Sequence, residues 1–404
     1  MIKYFRLFEE CILVDGANSE YAIYNLLTGD VFQLKKHETE IISLCENKMS
    51  INNIIEKLNF CNKEIINFLD KLVDADLGFY SENPVYIEKM FMDYSWLDLT
   101  FLKERPVVNK SFLILESNCT SNCYYCNKEY TRKKGCVGCF KQENIKNTTT
   151  LEEYFFALDK LKKLGTKEIY ITGGDIFLNF ERNMEVLKYA NNLGFEKIVV
   201  YIGGNRKIDD NKLEFFRENK IHLFLQVAIN SEYDLKENKL LKSKLQKEEY
   251  SLLLLFENAK NLELCKKVLD LTRQEYQPLQ IFIDYILRKD KLDLETKRLL
   301  HPLTKTSFVD YSTKIKYNPC MYGTITVRND KKISACPRIV DNPLGNISEF
   351  DEILTKENTA KYWRLTKDRV EKCKNCNLRY ICDDCRFIEY ELSNNLLMTK
   401  TCPK

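Results

Sequence analysis

Between residues 111 and 302 the chain alternates between two hydrophobic periods. Short apolar runs at 112–116, 168–172, 197–202, 223–229, 251–256 and 280–286 read as β-strands. Between them, 151–164, 182–192, 212–219, 258–272 and 293–300 carry the spacing of amphipathic helices. Repeated strand–helix units of this length predict an α/β fold, a parallel sheet with helices packed outside it.

The pattern changes near residues 85 and 305. Ahead of the first boundary, 11–15, 21–25 and 31–34 read as short strands, with Thr28-Gly-Asp30 as a turn. Three helices are predicted over 38–45, 51–58 and 63–74, the second capped by Ser50. A sheet followed by three short helices has a winged-helix outline. Four regions follow: a winged-helix domain at 1–85, a linker at 86–110, the α/β core at 111–304 and a carboxy-terminal region at 305–404.

A chain of 404 residues with 44% apolar content can bury ordinary cores. Its sixteen cysteines do not suit a disulfide framework, which belongs to short secreted domains. The start, Met1-Ile-Lys-Tyr-Phe-Arg6, opens no signal-peptide pattern, and the aliphatic run at 252–255 is too short to span a bilayer. A cytoplasmic protein with reduced thiols and no membrane partner is expected. Net charge is +3 with the charges interspersed, so nothing argues for nucleic acid. With only His37, His222 and His301 present, a cofactor is expected to carry the hard chemistry. Cys11, Cys45 and Cys61 are irregularly spaced and read as buried small hydrophobes.

Directly after the first core strand comes Cys119-Thr-Ser-Asn-Cys123-Tyr-Tyr-Cys126. A cubane iron–sulfur cluster needs four ligands, so three thiolates leave one iron open. The alternative, a zinc site, usually closes with a fourth ligand at short spacing. The stretch resembles the signature of radical S-adenosylmethionine (SAM) enzymes. That resemblance implies a partial (β/α)6 barrel and a [4Fe–4S] cluster on Cys119, Cys123 and Cys126 whose open iron chelates SAM. Thr172-Gly-Gly-Asp175 is similar to the family's Gly-Gly-Glu element, which assigns Gly173, Gly174 and Asp175 to the methionine end of SAM. Tyr125 holds the family's aromatic position beside the adenine. Ala228 stands where many members have a ribose-binding serine, leaving Gln226 or Asn230 as substitutes.

A second series consists of Cys320, Cys336, Cys373, Cys376, Cys382, Cys385 and Cys402. Together with a hairpin over 324–335 it resembles the SPASM domain, which carries two auxiliary [4Fe–4S] clusters. By that resemblance Cys373, Cys376, Cys382 and Cys402 hold the far cluster, and Cys320, Cys336 and Cys385 the near one. The near cluster lacks a fourth ligand: an open iron, Cys265 or a substrate thiolate are the alternatives. Two departures stand out, Lys331 where a glycine is common and CxxC at Cys382–Cys385, and CxxC pairs are also ordinary zinc knuckles. Cys136-Val-Gly-Cys139 fits neither set, leaving a structural metal, a redox pair or no role.

Over nearly its whole length the chain resembles maturases of ribosomally made peptides, with residues 1–85 in the place of the leader-recognition domain. The resemblance implies reductive cleavage of SAM to a 5′-deoxyadenosyl radical and modification of a precursor peptide, first of all a thioether or carbon–carbon cross-link. Side-chain oxidation of the sulfatase-maturing type and epimerisation, with Cys265 or Cys139 as hydrogen donor, are the alternatives. A zinc-bearing peptide scaffold is the non-catalytic one. Expected partners are the leader-bearing peptide and a low-potential donor such as flavodoxin or ferredoxin. Residues 4–17 also look like maturases from clusters that encode an ATP-grasp enzyme.

Overall fold

The computed structural model describes residues 3–404 except 91–105, 143–144, 205, 207, 239–240, 242–244, 246–248, 258–261 and 384. Most of the linker expected at 86–110 lies outside the described residues. Strands β2 (Cys11–Asp15), β3 (Tyr21–Asn25) and β4 (Val31–Gln33) form an antiparallel sheet in that order. Helices α1 (Lys36–Glu46), α2 (Ile51–Leu58) and α3 (Asn62–Asp74) follow. The Ser50 hydroxyl accepts the Asn53 N–H at 3.3 Å, the cap expected for α2. A two-stranded ribbon of β1 (Tyr4–Leu7) and β5 (Gly78–Ser81) closes the unit. β5 is absent from the sequence reading because it is short and begins with glycine. That glycine is required, since a Cβ at Gly78 would lie 2.4 Å from the Arg6 carbonyl. Cys11 and Cys45 are buried in this unit's core as expected. Cys61 instead is exposed, because it occupies the N-cap of α3, where the side chain leaves the apolar face.

The six core strands form as predicted. They are β6 (Lys110–Glu116), β8 (Glu168–Gly173), β9 (Lys197–Gly203), β10 (His222–Ile229), β11 (Tyr250–Phe256) and β12 (Gln280–Arg288), all paired in parallel. Side chains alternate across the sheet. Leu113, Leu115, Val200, Ile202, Leu252 and Leu254 point outward into the core shared with the helices. Phe112, Val199, Tyr201, Leu253 and Leu255 point into a second, inner core that reaches Tyr125.

Both edges of this sheet are covered. β7 (Tyr130–Arg132), not foreseen from the sequence, pairs antiparallel with β12. On the other edge β13 (Thr324–Val327) pairs in parallel with β6, followed by β14 (Lys332–Ser334) and β15 (Gly345–Asn346). The hairpin expected over 324–335 is therefore part of the same ten-stranded sheet. Among the described residues no helix is long and apolar enough to cross a membrane.

The amino-terminal sheet docks on the carboxy-terminal region: Val14, Ala22, Tyr24 and Leu26 pack with Leu378, Tyr380 and Ile381. Arg379 sits at this junction, its buried guanidinium 2.7 Å from both the Asp15 and Asp368 carboxylates and stacked on the Tyr380 ring. Arg379→Met is expected to cost about 1–3 kcal/mol. Thermal unfolding and limited proteolysis check this, with new cleavage expected between the amino-terminal unit and the core.

Candidate active site and cysteine-lined cavities

The loop bearing Cys119, Cys123 and Cys126 leaves β6 at Glu116, and Gly173 and Gly174 end the neighbouring β8. The two segments touch through their backbones. Gly174 N–H donates to the Glu116 carbonyl at 2.7 Å, and Asp175 N–H to that of Asn118 at 2.8 Å. A Cβ at Gly174 would stand 2.0 Å from the Asn118 oxygen, and Gly173 has φ +106°. The glycine pair thus seats the cysteine loop itself. The buried Glu116 carboxylate fixes the same corner, accepting amide N–H groups from Asn147 (2.5 Å), Asn179 (2.8 Å) and Asn183 (3.3 Å).

Cys119, Cys123 and Cys126 line one cavity with Tyr125, Gly173, Gly174, Asp175, Arg206 and Gln226. Backbone N–H groups point at two of the sulfurs, Ser121 on Cys119 at 3.4 Å and Lys141 on Cys126 at 3.1 Å. Such donors stabilise a thiolate and tune a cluster it holds. Burial pushes the Cys123 thiol up. Three convergent thiols with N–H donors fit a cluster ligand set. Tyr125 and Gln226 meet over the cavity, the Gln226 amide donating to the Tyr125 hydroxyl at 3.1 Å while its oxygen accepts from Arg132 at 2.7 Å. Of the two candidates, Gln226 on β10 is buried in the cavity wall. Asn230 is exposed just beyond the strand, its backbone N–H bound by Asp234, and does not line the cavity.

The cavity is narrow, about 30 Å³. Tyr125, Cys126, Cys139, Phe140 and Lys141 also line a neighbouring cavity of about 310 Å³, which Tyr130, Lys289, Arg338 and Phe387 help enclose. Cys139 thus faces both spaces. Burial pushes its thiol up to about 12, so it stays protonated.

In the carboxy-terminal region, Cys373, Cys376, Cys382 and Cys402 all line a single cavity of about 340 Å³. Cys382 also has His301 Nδ1 and Lys367 Nζ at 3.5 Å. Cys320 is exposed and borders a separate cleft of about 260 Å³. Its thiol meets Cys136, with Cys336 and Cys385 within electrostatic reach. Contact with the Cys136 sulfur pushes the Cys320 thiol up and pulls Cys136 down. Cys265 lies elsewhere, buried in the outer core beneath its helix. Among the described residues no three His, Cys, Asp or Glu side chains are close enough to hold a single metal ion. Cys119, Cys123 and Cys126 are instead spread around one cavity and Cys373, Cys376, Cys382 and Cys402 around another, as ligands to separate corners of a cluster must be.

Residues 113–247 match the model of the Radical SAM superfamily. This region is a radical SAM domain and the protein is an enzyme; the family implies a [4Fe–4S] cluster and SAM. Among solved structures, the chain is similar to Streptococcus suis SuiB bound to S-adenosylmethionine. Identity there is 14%, coverage 99% of this chain and 98% of that one, and TM-score 0.49. It is also similar to BtrN in complex with AdoMet and 2-DOIA, at 11% identity, 70% and 95% coverage and TM-score 0.37. No curated protein sequence matches the chain.

The sequence reading missed Arg206, which pairs with Asp175 in the cavity wall, and Arg132, which orients Gln226. Neither belongs to a motif, and only the fold brings them in. Two substitutions test the corner. Gly174→Ala is expected to push the cysteine loop off β8 and lower the thermal midpoint by several degrees. In Glu116→Gln one of the two acceptor oxygens becomes an NH2 that faces an Asn amide donor, with an expected loss of about 1–3 kcal/mol in denaturant unfolding.

Proposed function

We propose that the protein is a radical SAM peptide maturase with two auxiliary iron–sulfur clusters. The observation that carries this reading is the convergence of Cys119, Cys123, Cys126, Gly173, Gly174 and Asp175 on one cavity at the carboxyl ends of parallel strands. Barrel enzymes place their chemistry at that end. In this reading Cys373, Cys376, Cys382 and Cys402 hold the far auxiliary cluster, and Cys320, Cys336 and Cys385 belong to the near one.

When bound, the first cluster and SAM supply reductive cleavage of SAM to methionine and a 5′-deoxyadenosyl radical able to take a hydrogen atom. The chain supplies position. Asp175 offers a carboxylate to the methionine amine and the paired Arg206 a guanidinium to the methionine carboxylate. Tyr125 and Gln226, locked to each other and to Arg132, present a flat polar wall to the nucleoside. The adjoining 310 Å³ cavity receives the peptide residue to be modified, with Phe140 and Phe387 excluding water. Residues 1–85 recognise the leader, which adds as a strand to a free edge of the β2–β3–β4 sheet. A low-potential donor such as flavodoxin or ferredoxin, and an ATP-grasp enzyme of the same pathway, complete the partners.

The product we favour is a thioether or carbon–carbon cross-link, in which the peptide loses two hydrogens. Epimerisation, with no mass change, is the second reading. It is favoured by one observation, the position of the Cys139 thiol facing both cavities, where it could donate a hydrogen atom.

Anaerobically reconstituted, dithionite-reduced protein is expected to convert SAM to 5′-deoxyadenosine, falling to background in the Cys119→Ala/Cys123→Ala/Cys126→Ala variant. Wild type with its iron intact and no product would overturn the proposal. Gln226→Leu is expected to weaken SAM binding about tenfold in calorimetry, the cost of one buried polar pairing. The mass of the treated peptide separates cross-link from epimer. Cys139→Ala is expected to leave a cross-link intact and to abolish epimerisation.

A further inference from the structure

The near auxiliary set is one thiolate short in the sequence, and the fold supplies a candidate from an unexpected quarter. Residues 133–142 leave the barrel after β7 and run across the carboxy-terminal region. Their start is fixed by the barrel: β7 is paired to β12, and Lys134 N–H donates to the buried Asp284 carboxylate at 3.0 Å. Their far side is fixed by the residues that flank the near-cluster cysteines. A Cβ at Gly135 would lie 3.0 Å from the Phe387 ring, two residues after Cys385. The Gln142 amide donates to the carbonyl of Pro337, the residue after Cys336, at 2.9 Å. Arg338 is clamped between the rings of Phe140 and Phe387, 4.4 Å from each. Cys136 lies inside this frame with its thiol against that of Cys320.

We infer that Cys136 is the fourth ligand of the near cluster, closing a four-thiolate site with Cys320, Cys336 and Cys385; this rests on the auxiliary-cluster reading above. The pair Cys136-Val-Gly-Cys139 is thereby divided between two tasks. Gly138, at φ +99° and packed against the Gln226 amide, turns the chain so that Cys139 lines the SAM cavity. Four thiolates leave no iron of the near cluster open to a substrate sulfur. Its chemistry is then electron transfer, with the substrate held by protein side chains alone.

The test uses the full chain, purified anaerobically in the Cys119→Ala/Cys123→Ala/Cys126→Ala background so that only auxiliary iron remains, about eight atoms per chain. Mild ferricyanide oxidation followed by electron paramagnetic resonance reads out an open corner, because a three-thiolate cubane sheds its unprotected iron to give a [3Fe–4S] signal. Adding Cys136→Ala is expected to raise that signal to about one spin per chain, at least tenfold above the background protein and above Cys265→Ala. Cys136→Ser, which keeps the loop packed, is expected to retain iron while shifting the spectrum of the reduced cluster. A Cys136→Ala protein matching the background in iron and spectrum overturns the ligand assignment, as does the signal arising from Cys265→Ala instead. A background protein with no iron overturns the auxiliary-cluster reading itself.

Discussion

A strand buried in the middle of a sheet must satisfy its backbone on both edges, and β6 does so with partners from opposite halves of the chain. On one side it pairs with β8, whose glycines seat the cysteine loop; on the other with β13, four residues after Cys320. The register Thr324↔Lys110 to Val327↔Leu113 thus sets where the carboxy-terminal cysteines stand relative to the first three. Trp363, fully buried, reinforces the join by donating its indole N–H to the Thr324 carbonyl. The placement of Cys320 relative to the loop of Cys119, Cys123 and Cys126 follows from this one strand and its two neighbours.

Polar groups at the carboxyl ends of β6 and β8 follow the same economy. Phe140 N–H donates to the Gly173 carbonyl and Gln142 N–H to that of Ser117, so residues 133–142 lie over the seam between β6 and β8. The Thr172 hydroxyl donates to the Gly138 carbonyl from below. One loop consequently covers the cavity lined by Cys119, Cys123 and Cys126, lines the larger cavity beside it and reaches the carboxy-terminal region.

The six core strands were legible because each is a mainly apolar run, broken only by single polar residues such as Gln226 and Asp284, and the order of their pairing followed from the strand–helix repeat. Strands β5 and β7 escaped notice because they are three or four residues long and polar in part, stable only through a partner distant in sequence. The Gly-Gly pair was placed at the right strand end but for an incomplete reason: its glycines accommodate the Glu116–Asn118 backbone. Spacing left Gln226 and Asn230 equivalent, and burial separates them. Cys136 illustrates the limit most clearly, since its neighbours in space, Cys320, Cys336 and Cys385, are nearly two hundred residues or more away and no local pattern joins them.

The clamp of Arg338 between Phe140 and Phe387 bears on how such a chain diversifies. A carboxy-terminal extension that merely trailed behind the parallel sheet could be exchanged as a cassette by recombination near residue 305. This one shares a strand ladder with the core and grips a loop inserted nearly two hundred residues earlier. Inheritance therefore has to be joint: residues 133–142 and the carboxy-terminal region form one unit of exchange, and chimeras that carry only one of them break the seam that both halves build.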